Sequence, residues 1–188
     1  MNTPKYLLVH TTDYPYFQMQ DQRNACEGWH RDRGFPVSSL GSQIGYHYLF
    51  TGGKEYQCRA DTDEGAHCNQ KQDGISMNFQ SIGLAVGFDG DIEPMPAIEY
   101  GLLKKRLKEL QRKYNIPDKN VRFHRFWAKD KTCPGTLIGD VWLKNLLSEE
   151  RITANPCLAE EKQIQYLKQT LSWYDKLVSI LFKSKLSG

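Results

Sequence analysis

Apolar positions along this chain fall into short runs of strand type that alternate with longer stretches of helical periodicity. Tyr6-Leu7-Leu8-Val9 is a compact apolar run that ends in His10 and small polar residues, which predicts a strand over residues 5–10. A helix is expected over about residues 19–33, with Gly34-Phe35-Pro36 as its stop. Two further strands, 45–51 and 54–59, flank Gly52-Gly53, the signature of a two-residue hairpin turn. Strand alternation in the first of these would put Tyr46 and Tyr48 on one face and His47 on the other. Residues 60–80 are polar and without period, and read as a long surface loop. Residues 81–88 show no polar alternation, the mark of a strand covered on both faces and therefore central in its sheet. Between 97 and 114, Ile98, Leu102, Leu103, Leu107, Leu110 and Tyr114 recur at helical spacing. Asn115-Ile116-Pro117 closes that helix, Val121 to Phe123 reads as a strand, and 138–147 reads as another helix.

The last stretch differs in kind. Over residues 158–186, Ile164, Leu167, Leu171, Tyr174, Leu177, Val178, Leu181 and Phe182 form one apolar stripe, with Lys162, Lys168, Lys176, Lys183 and Lys185 outside it. This predicts a C-terminal amphipathic helix with two open roles: packing on the body or on a second copy, and contact with an anionic lipid or wall surface. The domain organisation expected is a body over 1–150 and this helical tail over 151–188.

Composition narrows the classes. With 39% hydrophobic residues the chain can bury a core, so wholesale disorder is excluded. A net charge of +3 is too mild for a nucleic-acid-binding footprint, and the Lys/Arg cluster of helix 97–114 reads as a solvated face. The charge suits approach to an anionic polymer. The 5 cysteines are odd in number and form no C-x-x-C pair, so free thiols are expected rather than a disulfide framework. No charged start leads into a long apolar core, so synthesis and first accumulation in a cytosol are expected.

Candidate chemistry concentrates in residues 121–135. His124, Lys131 and Cys133 supply an imidazole, an ammonium and a thiol within one short stretch. Imidazole and thiolate suit zinc, and three protein ligands with one open position make a hydrolytic site. Pro134 holds Cys133 in extended geometry. His10, at a strand end, is the candidate third ligand. His30, on a helix, reads as a surface or groove residue, and the acids at Asp89 and Asp91 lack the spacing of a calcium loop.

Val9-His10-Thr11-Thr12, Gly45-Tyr46-His47-Tyr48, Gly65-Ala66-His67, Ser81-Ile82-Gly83-Leu84 and Lys131-Thr132-Cys133-Pro134 stand in an order that resembles zinc-dependent N-acetylmuramoyl-L-alanine amidases. That family includes bacteriophage lysozyme-type amidases and peptidoglycan recognition proteins, and the resemblance covers roughly residues 5 to 147. It implies an α/β fold with a central mixed sheet flanked by helices, and Zn2+ on His10, His124 and Cys133. It also implies catalytic roles for Tyr46, beside the water, and Lys131, near the developing oxyanion, a structural role for His47, and groove contacts for His67 and Thr11. The implied reaction is cleavage of the amide between N-acetylmuramic acid and L-alanine in peptidoglycan. An endolysin waiting in the host cytosol and a recycling amidase for wall fragments both stay open, as does a non-catalytic wall-binding module. A cysteine peptidase is disfavoured because Pro134 removes the helix start that activates a nucleophilic thiol. A structural zinc site wants a fourth protein ligand, and the sequence offers no convincing one.

Overall fold

The computed structural model describes residues 2–148; the tail helix expected over 158–186, and Cys157 with it, lie outside the described residues. In chain order the elements are β1 (Tyr6–Thr11), α1 (Arg23–Asp32), β2 (Tyr48–Thr51), β3 (Lys54–Gln57), β4 (Lys71–Gln72), β5 (Ile75–Ser76), β6 (Ser81–Val86), α2 (Ala97–Tyr114), β7 (Val121–Phe123) and α3 (Asp140–Leu147). Five strands form one mixed sheet in the order β3-β2-β6-β1-β7, while β4 and β5 form a small ribbon inside the long polar loop. Strands β2, β6, β1 and β7 are mutually parallel, and only the edge strand β3 runs antiparallel.

Strand β6, read as covered on both faces, is buried at every position and lies at the middle of the sheet. On one face, Leu7, Val9, Tyr48, Phe50, Ile82, Leu84 and Val86 pack with Leu103, Leu107 and Leu110 of α2 and Leu143 and Leu146 of α3. On the other face, Leu49 and Ala85 pack with Cys26 of α1, Ile44 and Cys58. Successive side chains of β1 alternate between these faces, so His10 points away from the α2 side. The ends of parallel strands open a crevice for ligands, and His10 and His124 both lie at such carboxyl ends.

Two expectations need correction. The helix starts at Arg23 rather than near Met19, because the preceding backbone is already engaged: the Gly52 N–H and the Thr51 hydroxyl both donate to the Gln20 carbonyl at 2.8 Å, and the Gln22 N–H donates to Thr51 Oγ1. Tyr46 and Tyr48 do not share a face. Tyr48 lies in the α2-side core, and Tyr46 packs against the α1-side cluster. Regular pairing starts only at Tyr48, since the His47 carbonyl accepts from both the Cys58 and Arg59 N–H groups, a bulge that breaks alternation. The hairpin is as read: Gly52 (φ 61) and Gly53 (φ 70) are both left-handed, the requirement of its tight turn. Among the described residues no helix is long and apolar enough to cross a membrane, and Cys26, Cys58, Cys68 and Cys133 are free thiols.

One polar network ties the layers. The Asp61 carboxylate, 6% exposed, accepts from the Tyr48 hydroxyl at 2.6 Å, the Tyr114 hydroxyl at 2.8 Å and Lys113 Nζ at 2.7 Å. Burial alone would raise its pKa; the bonds from Lys113, Tyr48 and Tyr114 outweigh that and leave it lowered. Asp61→Ala is expected to destabilise the body by about 2–3 kcal/mol at pH 7, chiefly through the two stranded phenols, since the Lys113 ammonium is 60% exposed. A carboxyl with a lowered folded-state pKa stabilises above its unfolded value of about 3.9. The wild-type advantage should therefore shrink as pH falls below about 4. Urea unfolding at pH 7 and in acid checks this, and equal midpoints at pH 7 would refute it.

Candidate metal centre

Three segments converge at the carboxyl ends of β1 and β7. His10 is the fifth residue of β1 and is 1% exposed. His124 directly follows β7, whose Phe123 pairs with Val9, so the two imidazoles become neighbours with ring centres 4.6 Å apart. Cys133, 6% exposed, arrives on the loop after β7 and puts its Sγ 3.8 Å from His10 Nδ1 across 123 residues of chain. The donor atoms of His10, His124 and Cys133 all lie within 4.8 Å of one another, and among the described residues no fourth His, Cys, Asp or Glu joins them.

The donor set fits zinc. With Zn–N near 2.0–2.1 Å and Zn–S near 2.3 Å, tetrahedral neighbours would stand about 3.3–3.6 Å apart, so donors within 4.8 Å of one another could close around an ion by a contraction of about 1 Å. Burial, then the charges of His124, His67, His30 and His47, hold His10 well below the ordinary imidazole range. Burial, then Lys131, pushes His124 down to about 4. Both rings are therefore neutral at pH 7 with lone pairs available. Burial, then Asp13, pushes the Cys133 thiol up to about 12, against the Thr11 N–H that donates to its sulfur at 3.4 Å. A thiol in that setting is a poor free nucleophile, which weighs against the cysteine-peptidase reading. It is a good ligand once a cation displaces its proton.

The Cys133 loop is held by Arg125 and Asp91, to which the sequence alone assigns no such role. The Arg125 N–H donates to the Cys133 carbonyl at 3.0 Å, and its guanidinium donates to the carbonyls of Thr132, Gly135 and Ile138. Asp91 accepts from the Thr132 hydroxyl and the Thr136 N–H, both at 2.7 Å. The available signals were an Arg beside a ligand histidine and an Asp just past a buried strand; neither identifies its partner without the fold.

Tyr46 is half-buried, its ring 5.2 Å from that of His10, and its hydroxyl donates to the Thr11 carbonyl at 3.3 Å. Burial, then Cys26 and Cys133, raises its pKa well above the usual value, so it is a neutral phenol. Lys131 is exposed, and its charge acts on His124 and Asp13. His47 is fully buried: Nδ1 accepts from the Gly83 N–H at 3.1 Å, and Nε2 faces the Asp63 carbonyl at 3.2 Å. His30 is buried too, accepts from the Gly45 N–H at 3.0 Å and stacks on Phe35, so it latches α1 rather than facing a groove. Thr11 and His67, expected at the groove, are 2% and 8% exposed. Thr11 Oγ1 donates to Asp13 Oδ1 at 2.7 Å, and His67 Nδ1 stands 3.1 Å from His10 Nε2. The structure buries both against the donors, Thr11 beside Cys133 and His67 beside His10.

The sequence profile of the family described as N-acetylmuramoyl-L-alanine amidase matches residues 1–136. Among solved structures, the chain is similar to the N-acetylmuramoyl-L-alanine amidase LysC from Clostridium intestinale URNW, with 22% identity, TM-score 0.59 and coverage of 77% of this chain and 85% of that one. It is also similar to Drosophila PGRP-LB, at 20% identity and TM-score 0.58 over 80% of this chain and 83% of that one. A mutant endolysin from Bacillus subtilis matches at 23% identity and TM-score 0.55, over 77% and 86% respectively. These likenesses bear out the α/β fold with a central mixed sheet. No curated protein matches the sequence.

Proposed function

Because this chain belongs to the N-acetylmuramoyl-L-alanine amidase family, we propose that it is a zinc-dependent hydrolase of peptidoglycan and serves as a phage or prophage endolysin. The bond cut is the amide between N-acetylmuramic acid and L-alanine. The observation that carries the reading is the convergence of two imidazoles and one thiol with no fourth protein donor among the described residues, which leaves a coordination position for chemistry. The fold shared with proteins named as endolysins supports the wall-lysing role.

When bound, zinc supplies Lewis acidity toward a carbonyl and a lowered pKa for water. The chain's own residues supply the rest. His10 and His124 are held neutral by burial, and Thr11 presents an N–H to the sulfur, which favours its thiolate form. Amide hydrolysis builds negative charge on the carbonyl oxygen and requires a proton for the leaving amine. Lys131, an exposed cation two residues from Cys133, would offset that charge. Tyr46 is a neutral phenol whose bond to the Thr11 carbonyl is long at 3.3 Å and readily exchanged for a better partner, which suits orienting a water and passing its proton. Retention of all three ligands argues against a module that only binds the wall.

Purified sacculi incubated with the protein should release new amino termini at L-alanine, with the glycan strands intact by mass analysis, and a chelator should abolish the release. Tyr46→Phe should keep its zinc and lose activity by about 10²-fold. Products cut in the glycan, or release that persists after the metal has been stripped, would sink the proposal.

A further inference from the structure

Behind His10 stands an imidazole for which the proposed chemistry has no use. His67 Nδ1 lies 3.1 Å from His10 Nε2, with the two rings edge-on at 82° and their centres 5.0 Å apart. The other end of the His10 ring, Nδ1, is the one that faces Cys133 Sγ. A neutral imidazole has one donor and one acceptor nitrogen, so a ring that offers its Nδ1 lone pair must carry its proton on Nε2. Histidines that bind metals normally give that second N–H to a carboxylate, a carbonyl or water, which fixes tautomer and ring orientation. Here the atom in that position is a ring nitrogen of His67.

The surroundings are built to hold this ring. A Cβ on Gly83 would stand 2.7 Å from both Cγ and Cδ2 of His67, and one on Gly65 would stand 2.5 Å from Cδ2. Two glycines on different segments therefore make the slot the imidazole occupies. The backbone is clamped as well: Asn78 Oδ1 accepts from the N–H groups of both His67 and Cys68, at 3.0 and 2.8 Å. His67 itself is only 8% exposed, its far nitrogen Nε2 is buried, and the Ser81 backbone bears on the ring.

We infer that His67 is a positioning residue that accepts the His10 Nε2–H and so presents the Nδ1 lone pair of His10 toward the metal. The inference rests on reading the site as a zinc centre. His67 touches neither substrate nor metal, and its contribution is to metal affinity.

The test uses the full chain and zinc itself, titrated in competition with a chromophoric chelator. His67→Leu keeps volume and removes the acceptor; it should weaken zinc binding 10- to 100-fold. His67→Asn places Oδ1 near the lost Nδ1 and should recover most of that affinity. Gly83→Ala, which drives a Cβ into the ring, should weaken binding in the same direction. A wild-type zinc affinity in H67L, with only KM raised, would make His67 a substrate contact and overturn the assignment. Nitrogen-15 NMR of the metal-free wild type decides the pairing without any variant: His10 protonated on Nε2 supports it, and His10 protonated on Nδ1 overturns it. A wild-type chain that takes up no zinc would defeat the proposed function instead, and the tautomer measurement would still stand on its own.

Discussion

Cys133→Ser is expected to leave a folded protein that holds no stoichiometric zinc after dialysis and releases amino termini from walls at least about 10³-fold more slowly, a larger loss than removal of one oxyanion-hole donor causes. The sulfur is 6% exposed, sits 3.8 Å from His10 Nδ1 and accepts the Thr11 N–H. A serine hydroxyl reaches less far, is a harder donor and does not ionise near neutral pH, so two imidazoles alone would have to retain the ion. Zinc prefers thiolate and imidazole, and structural or catalytic affinity falls steeply when a charged ligand is lost. Folding should be little affected, because the sulfur makes only weak hydrogen bonds and the loop around it is held by Arg125 and Asp91. Elemental analysis beside thermal unfolding of the metal-free proteins checks both parts. Wild-type zinc content in the serine variant would remove Cys133 from the ligand set.

The second large effect is one of stability and lies two residues on. Gly135 has φ 115 and meets Gly90 with backbone against backbone: a Cβ on Gly135 would stand 2.0 Å from the Gly90 carbonyl carbon and 2.4 Å from its Cα. The contact is reciprocal, since a Cβ on Gly90 would stand 1.9 Å from the Pro134 oxygen. The Leu137 N–H also donates to the Gly90 carbonyl at 3.1 Å, and Asp91 grips Thr132 and Thr136 on either side. With the Arg125 and Asp91 bonds, this crossing holds the cysteine loop against the segment that follows β6. Backbone cannot swing aside as a flexible side chain can, and a left-handed φ adds strain for any residue with a Cβ. Gly135→Ala should therefore cost roughly 3–5 kcal/mol and lower Tm by more than about 10 °C. Gly101→Ala is the control: nothing lies within 4 Å of its Cβ position in α2, so it should be neutral or stabilising by up to about 1 kcal/mol. A Gly135→Ala protein that melts with the wild type would show that the two loops can part at little cost.

Much of the architecture was legible because it is local. Helix α2 lies over the residues its apolar spacing marked, and β6 is buried as its unbroken apolar run implied. The Gly52-Gly53 turn has the two left-handed residues its dipeptide demands. Elsewhere local reasoning was overridden by distant partners. The helical pattern before Arg23 yields because Thr51 and Gly52 engage the backbone of Gln20 and Gln22. Alternation around Tyr46 fails because Cys58 and Arg59, just past β3, both place their N–H groups on the His47 carbonyl. The polar loop of residues 60–80 looked like open surface, yet it delivers His67 into the interior, where two glycines leave space for an aromatic ring.

The amino-acid sequence by itself determined the chemistry on offer: two histidines at strand ends and a cysteine ahead of a proline, residue types that suit zinc. It also set which faces of each helix and strand had to be buried, since hydrophobic periodicity depends only on near neighbours along the chain. Only the tertiary structure decided that these three donors meet, that Arg125 and Asp91 brace the loop carrying one of them, and that His67 stands behind His10. Those outcomes depend on parallel pairing of β1 with β7 and on backbone crossings between segments far apart in sequence, where contact energy is shared among many residues and no short motif records it.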